Sequence, residues 1–393
     1  LVESLHRQPI APIYFLLGVG IAAYGILHLG IHLWLMHQGA LSVSPNYAHL
    51  RKIHSMIQIH GFFGAFISGF TLQAVPRLMG SDRVRPSWTS LLPLLFLVSI
   101  LIIAFTNAQT LGQALLSLHF TAIFVVVARY LPSAKHDARL HVAPFFLLGI
   151  GALAISVFLP LLNPLTSLYV LWITIIPILL SSLHVFEKLI ALKRFSQLQS
   201  ALLFFSYIAI ALVLFDNIYG LLPSFASYAI YLSATFCITL ILSLAVIQGR
   251  QEATPLSFPI ALSTWMGTSW LGIAFLVALA FPNHYDLVLH LLATGTIIPI
   301  LLTISSQILG ALSGSKLLQP NVLIVLLSVW QLVPFSRGLV PAFSPAPPLA
   351  WTIAIIMVVV ICAWGWALIS RVCKSLLFPQ SPHHPSCATK KNA

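Results

Sequence analysis

Acidic residues are almost missing from this chain: Asp and Glu together number seven in 393 residues, and charged residues of every kind make up 7%. A soluble domain carries about a quarter, so the composition excludes one. The seven acids, Glu3, Asp82, Asp137, Glu187, Asp216, Glu252 and Asp286, fall at the ends of apolar runs or between them. Ion-coupled pumps keep a carboxylate in mid-membrane, where it is costly and retained for a task; none is placed that way here. Cysteine is scarce too. Cys237, Cys362, Cys373 and Cys387 are scattered, with no C-x-x-C-H for covalent haem attachment and no C-x-x-C pair for zinc or thiol exchange. No alternating strand pattern suggests a barrel, and no inverted repeat with paired broken helices marks a secondary transporter. The formal charge is +12, yet the basic residues form no continuous patch or aromatic-interleaved stripe, so no nucleic acid partner is expected.

What is present is apolar sequence. Hydrophobic residues make up 59% of the chain and mean hydropathy is +1.00. Apolar runs lie at about 10–36, 54–76, 87–106, 108–131, 142–162, 165–187, 199–221, 225–248, 256–281, 285–312, 321–336 and 349–373, each bounded by Gly, Pro or charge. Lipid offers no partner to an unpaired backbone group, so each run must be a helix. The expectation is an all-α integral membrane protein, a bundle of about twelve transmembrane helices over residues 1–375. The first hydrophobic segment is expected to stay as a span, with no short cleavable leader before it. Residues 376–393 read as a polar, disordered cytoplasmic tail.

With twelve spans, both termini and the even-numbered connections share one side. Sixteen of the nineteen Lys and Arg residues fall there, against Arg51, Lys52 and Arg337 on the other. That bias places both termini in the cytoplasm and predicts a multi-pass protein of the bacterial cytoplasmic (inner) membrane, with the lipid bilayer as its surroundings.

Histidine breaks the apolar pattern. There are fifteen, and several lie inside the runs. His28 and His32 are four apart in the first span and share a face. His54 and His60 open the second span, and His290 lies near the start of the tenth. At 1.5 Å per residue, His28, His60 and His290 sit on the order of 10 Å below the outer surface, with His119 of the fourth span somewhat deeper. Imidazole is the commonest protein ligand for haem iron and copper, and helical bundles build such sites from facing helices. A helix-to-helix hydrogen bond is the plainer role for any one of them. Gly61, Gly64 and Gly69 permit close approach by a helix or a flat macrocycle.

The second span, "IHSMIQIHGFFGAFISGFTLQAVPRLMG", resembles the NnrS family of polytopic membrane proteins, matching its Gly-Phe-rich helix and Ala-Val-Pro ending at Gly61, Phe62, Gly69, Phe70, Leu72, Ala74, Val75, Pro76 and Gly80. "IIPILLSS" (175–182) and "HLLATGTIIPILLTISSQILG" (290–310) are similar to two later family segments, with His290 at the histidine of the second. The resemblance implies b-type haem, copper, and a role in handling nitric oxide and nitrosative stress. It makes His54, His60 and His290 the first candidate cofactor and metal ligands, with His28, His32 and His119 behind them. On this alignment His54 takes the first motif histidine, but Met56 stands at the second and Ile57 at the glutamate. That change bears on copper. Met56 could serve as a soft copper or axial haem ligand, and His60 could replace a lost ligand. A small diatomic such as nitric oxide is the implied partner. No general acid, activated nucleophile or proton-carrying carboxylate lies in the spans, which leaves sensor, protective binder and reductase all open. Two other readings stand beside this one: a divergent relative of haem-copper oxidase or nitric-oxide reductase subunit I, and a histidine-lined solute carrier. Neither an adjacent His-His pair on a span nor a His-Pro-Glu-type segment is present to support the oxidase reading.

Overall fold

The computed structural model describes residues 10–79, 86–134, 142–159, 164–185, 196–249, 258–313, 318–339 and 347–377. The expected tail lies outside the described residues from position 378 onward. Among the described residues all regular structure is helical, as a chain surrounded by hydrocarbon requires.

In chain order the helices are α1 (Ala11–His37), α2 (Tyr47–Gln73, continuing to Leu78), α3 (Ser87–Phe105), α4 (Gln109–Ser133) and α5 (Ala143–Ser156). Then come α6 (Pro164–Val185), α7 (Gln197–Tyr219), α8 (Ser224–Gly249) and α9 (Phe258–Ala280). The last are α10 (Tyr285–Ser306, continuing to Ser313), α11 (Pro320–Ser336) and α12 (Pro347–Leu377). Nine helices among the described residues are long and apolar enough to cross a membrane; the apolar parts of α5, α6 and α11 are shorter. Each helix coincides with one of the apolar runs read from the sequence.

Local chemistry sets the ends. Pro12, Pro144 and Pro320 occupy first turns, where their missing N–H is not needed. Ser196 and Gln199 cap α7 reciprocally, and Gly220 closes it in the left-handed conformation. Asp216 holds the following turn by accepting from Leu222 N at 2.5 Å and from the Ser227 hydroxyl.

Successive helices from α3 to α10 pack against one another, and α12 closes back onto α1 and α10. Two helices are enclosed by the rest. Across its most apolar stretch α2 is 89% buried and α10 67%, while the other long helices lie between 33% and 50%. Helix α2 is also the least apolar of the nine, with a mean hydropathy of 1.2. In a membrane the polar helix belongs inside, because the surroundings reward an apolar exterior.

Among the described residues, three of the twelve helices contain a π-helical stretch. Ala23–Gly30 in α1, Ile57–Phe63 in α2 and Leu291–Ile297 in α10 are π-helical turns. Such wide turns are rare and concentrate at functional sites.

A candidate ligand cavity and a separate sealed histidine layer

The three π-turns border one cavity. Its volume is about 310 Å³, and its walls come from α1, α2, α6, α10, α11 and α12. The wall changes character with depth. Where α1 ends and α2 and α10 begin it is polar, with His37, Tyr47, Arg51 and Asp286. Arg51 Nη2 donates to Asp286 Oδ1 at 3.1 Å, joining α2 to α10 across that end. One to two turns further in are His54, Gln58, His290 and Thr294, and beyond them Ile26, Phe63 and Ile298.

Two of the three histidines on this wall, His54 and His290, are held alike. His54 Nδ1 lies 3.0 Å from the Gly25 carbonyl, and His290 Nδ1 lies 2.7 Å from the Asp286 carbonyl. A carbonyl can only accept, so both rings carry their proton on Nδ1, and in a neutral ring Nε2 is then the acceptor. Metal-ligating histidines are oriented by this same kind of bond. The π-turns contribute directly. A wide turn opens the backbone ladder, so its carbonyls can take side-chain donors from neighbouring helices. Gly25 receives His54 in this way, and the Thr294 carbonyl receives Trp330 Nε1 at 2.8 Å. Close approach of α1 to α2 needs glycine. A Cβ on Gly25 would stand 2.8 Å from Ile57 Cγ2 and 2.9 Å from Gln58 Nε2, and one on Gly30 would stand 3.1 Å from His54 Cε1.

The other expected site residues are elsewhere. His60 is wholly buried on the opposite side of α2, its Nε2 2.9 Å from Ser156 Oγ at the end of α5. His119 of α4 is equally buried, with Nε2 3.1 Å from Ser68 Oγ of α2. Phe96 and Phe120 pack against both imidazoles or their neighbours, with Phe120 6.4 Å from the His60 ring and 5.2 Å from that of His119. Met56 packs into the apolar core rather than onto the cavity wall. His28 and His32 lie on the exposed face of α1, their rings parallel within 16° at 6.4 Å. Gly61, Gly64 and Gly69 serve packing: a Cβ there would meet Ile21 and Ile100, Phe120 and Phe96, or Tyr14 and Phe15. Among the described residues no three His, Cys, Asp or Glu side chains converge as a metal-binding group.

Tyr47, Arg51, Gln58 and Asp286 belong to the wall, though nothing in the motif reading singled them out. The signal was available. Tyr47, Arg51, His54, Ser55 and Gln58 recur three and four residues apart, a polar stripe on one face of a helix inside an apolar chain. Gln58 Nε2 is buried with no hydrogen-bond partner among the described residues.

Among curated proteins none matches this chain. A family profile described as NnrS protein matches residues 12–375, which spans all the helices named above apart from the first residue of α1 and the last two of α12. The chain is therefore a member of the NnrS family.

Proposed function

We propose that the cavity among α1, α2, α6, α10, α11 and α12 is a haem site and that the protein handles nitric oxide at the outer half of a bacterial cytoplasmic membrane. One observation carries this reading: two imidazoles from different helices share one wall, each with Nδ1 tied to a backbone carbonyl. Those residues fit a haem. His54 and His290 are the side chains that would hold its iron, and the apolar interior around Ile26, Phe63 and Ile298 would enclose the ring and exclude water. The buried Gln58 amide, without a partner of its own, suits a polar group of whatever occupies the space. Bound b-type haem would supply the iron at which a diatomic ligand is taken and electrons are exchanged.

Copper fits less well. Its usual donor set does not assemble among the described residues, and Met56 packs into the apolar core. Nitric oxide as the ligand comes from family membership. The bias of sixteen basic residues against three supports cytoplasmic termini and an outward-facing polar end.

The test is the optical spectrum of the full-length protein purified after haem-replete expression, with iron analysis. A Soret band that drops at least tenfold in His54→Ala and His290→Ala, and that shifts when nitric oxide is added to the reduced protein, is the expected result. A colourless, iron-free wild type would overturn the reading. A band that persists in both variants would move the site elsewhere.

A further inference from the structure

The Arg51–Asp286 pair has properties that a purely structural link would not need. Arg51 is the one Lys or Arg on the described cavity wall. Its neighbour Lys52 is turned away, with Nζ donating to Gln109 Oε1 at 3.2 Å. The pair joins two helices 235 positions apart in sequence, yet it rests on a single guanidinium nitrogen and a single carboxylate oxygen. Both side chains keep about a third of their surface exposed, 34% for Arg51 and 39% for Asp286. A guanidinium presents five donors in a planar fork matched to two carboxylate oxygens, so among the described residues most of this fork is uncommitted.

Position adds to the argument. Arg51 stands about one helical turn outward from His54, and Asp286 one turn outward from His290. The described wall is thus apolar at depth, carries His54 and His290 in the middle and holds Arg51 at the polar end. That gradient suits a flat amphipathic ligand bearing a carboxylate on one edge. Asp286 also has somewhere to turn, because its second oxygen is already 3.6 Å from His290 Nδ1, whose one proton, held by the Asp286 backbone carbonyl, the carboxylate would share. A carboxylate on that nitrogen makes the ring a stronger ligand.

We propose that Arg51 is the receptor for a carboxylate of the cavity's ligand, a haem propionate if the reading above is right, and that Asp286 occupies the guanidinium as an exchangeable stand-in until the ligand arrives. On binding, Arg51 passes from Asp286 to the incoming carboxylate and Asp286 turns toward His290. The inference rests on the haem reading for the identity of the ligand, and the experiment separates the two.

The full-length protein, reconstituted without haem in lipid nanodiscs, is titrated with haemin and with haemin dimethyl ester, whose carboxylates are blocked. Wild type should bind haemin about tenfold more tightly than the ester, in keeping with one charge-assisted pair. Arg51→Gln should lose that preference while binding the ester as wild type does, which also shows that the variant folds. Arg51→Lys should recover part of it, since it keeps the charge and loses the fork. Asp286→Asn should bind haemin at least as tightly as wild type. Equal affinity of wild type for haemin and ester, equal weakening of both by Arg51→Gln, or a tenfold loss of haemin affinity in Asp286→Asn would overturn the exchange and leave the haem site standing. Failure of wild type to bind either compound would remove the haem reading and this inference with it.

Discussion

Helix α2 carries two histidines six residues apart that end in opposite surroundings. His54 lines a cavity beside a salt bridge, its Nδ1 bonded to a backbone carbonyl of another helix. His60 is sealed against Ser156 and Phe120 with no exposed surface, and its Nδ1 has no partner among the described residues. His290 and His119 repeat the contrast on α10 and α4. The same side chain, in the same bundle, faces room for a ligand in one layer and none in the other. Depth in the membrane is therefore a poor guide to ligand role. What separates the layers is whether the imidazole borders a cavity and whether a backbone carbonyl fixes its Nδ1.

That contrast can be broken by mutation. The largest expected effect on stability is at His60. Its replacement by Ala leaves a hole in a close-packed layer and leaves the Ser156 hydroxyl only its longer bond to the Leu153 carbonyl at 3.3 Å, costing about 2–4 kcal/mol, read as a fall in thermal midpoint, while the Soret band per folded protein stays unchanged. If His60→Ala instead removes the band at unchanged midpoint, the two layers are one site. A second test acts on the sealed side through α1. A Cβ on Gly69 would stand 2.8 Å from Tyr14 Cβ and 3.2 Å from the Ala11 carbonyl. Backbone cannot yield as a flexible side chain can, so Gly69→Val should cost about 1–3 kcal/mol with haem content preserved. The smallest effect belongs to the cavity side. Trp330→Phe deletes the donor to Thr294 and shrinks a wholly buried indole to a single ring, together costing about 1–2 kcal/mol. Hydrogen exchange should speed up around the π-turn of α10, and unchanged protection there would deny that the bond holds the turn.

The bundle was legible because lipid leaves few options. Twelve apolar runs read from composition reappear as helices, since each had to bury its backbone polarity within itself; most ends shift by only a few residues, but α2 begins at Tyr47 rather than 54 and α5 ends at Ser156 rather than 162. Half of the cavity was legible as well: His54 and His290 stood out as imidazoles near the outer ends of different helices. Arg51 and Asp286 did not, since each served only to mark a span end, and nothing in a linear chain joins residues 235 positions apart. The faces of His60 and Met56 were unreadable for a local reason. Both adjoin or lie within the π-turn at Ile57–Phe63, where an i→i+5 ladder turns the helix face away from the α-helical register. No residue pattern in that stretch announces the change.

The burial of α2 has a consequence for how the protein comes to be made. This helix carries Arg51, Lys52, His54, Gln58 and His60 and has the lowest hydropathy of the nine. Charged residues oppose the entry of an isolated segment into the bilayer, so α2 is a poor membrane anchor by itself. Its insertion is cheap only in company, when α1 and the helices that follow can cover its polar stripe. The polarity that equips the cavity thus ties the stable insertion of α2 to the helices that cover it.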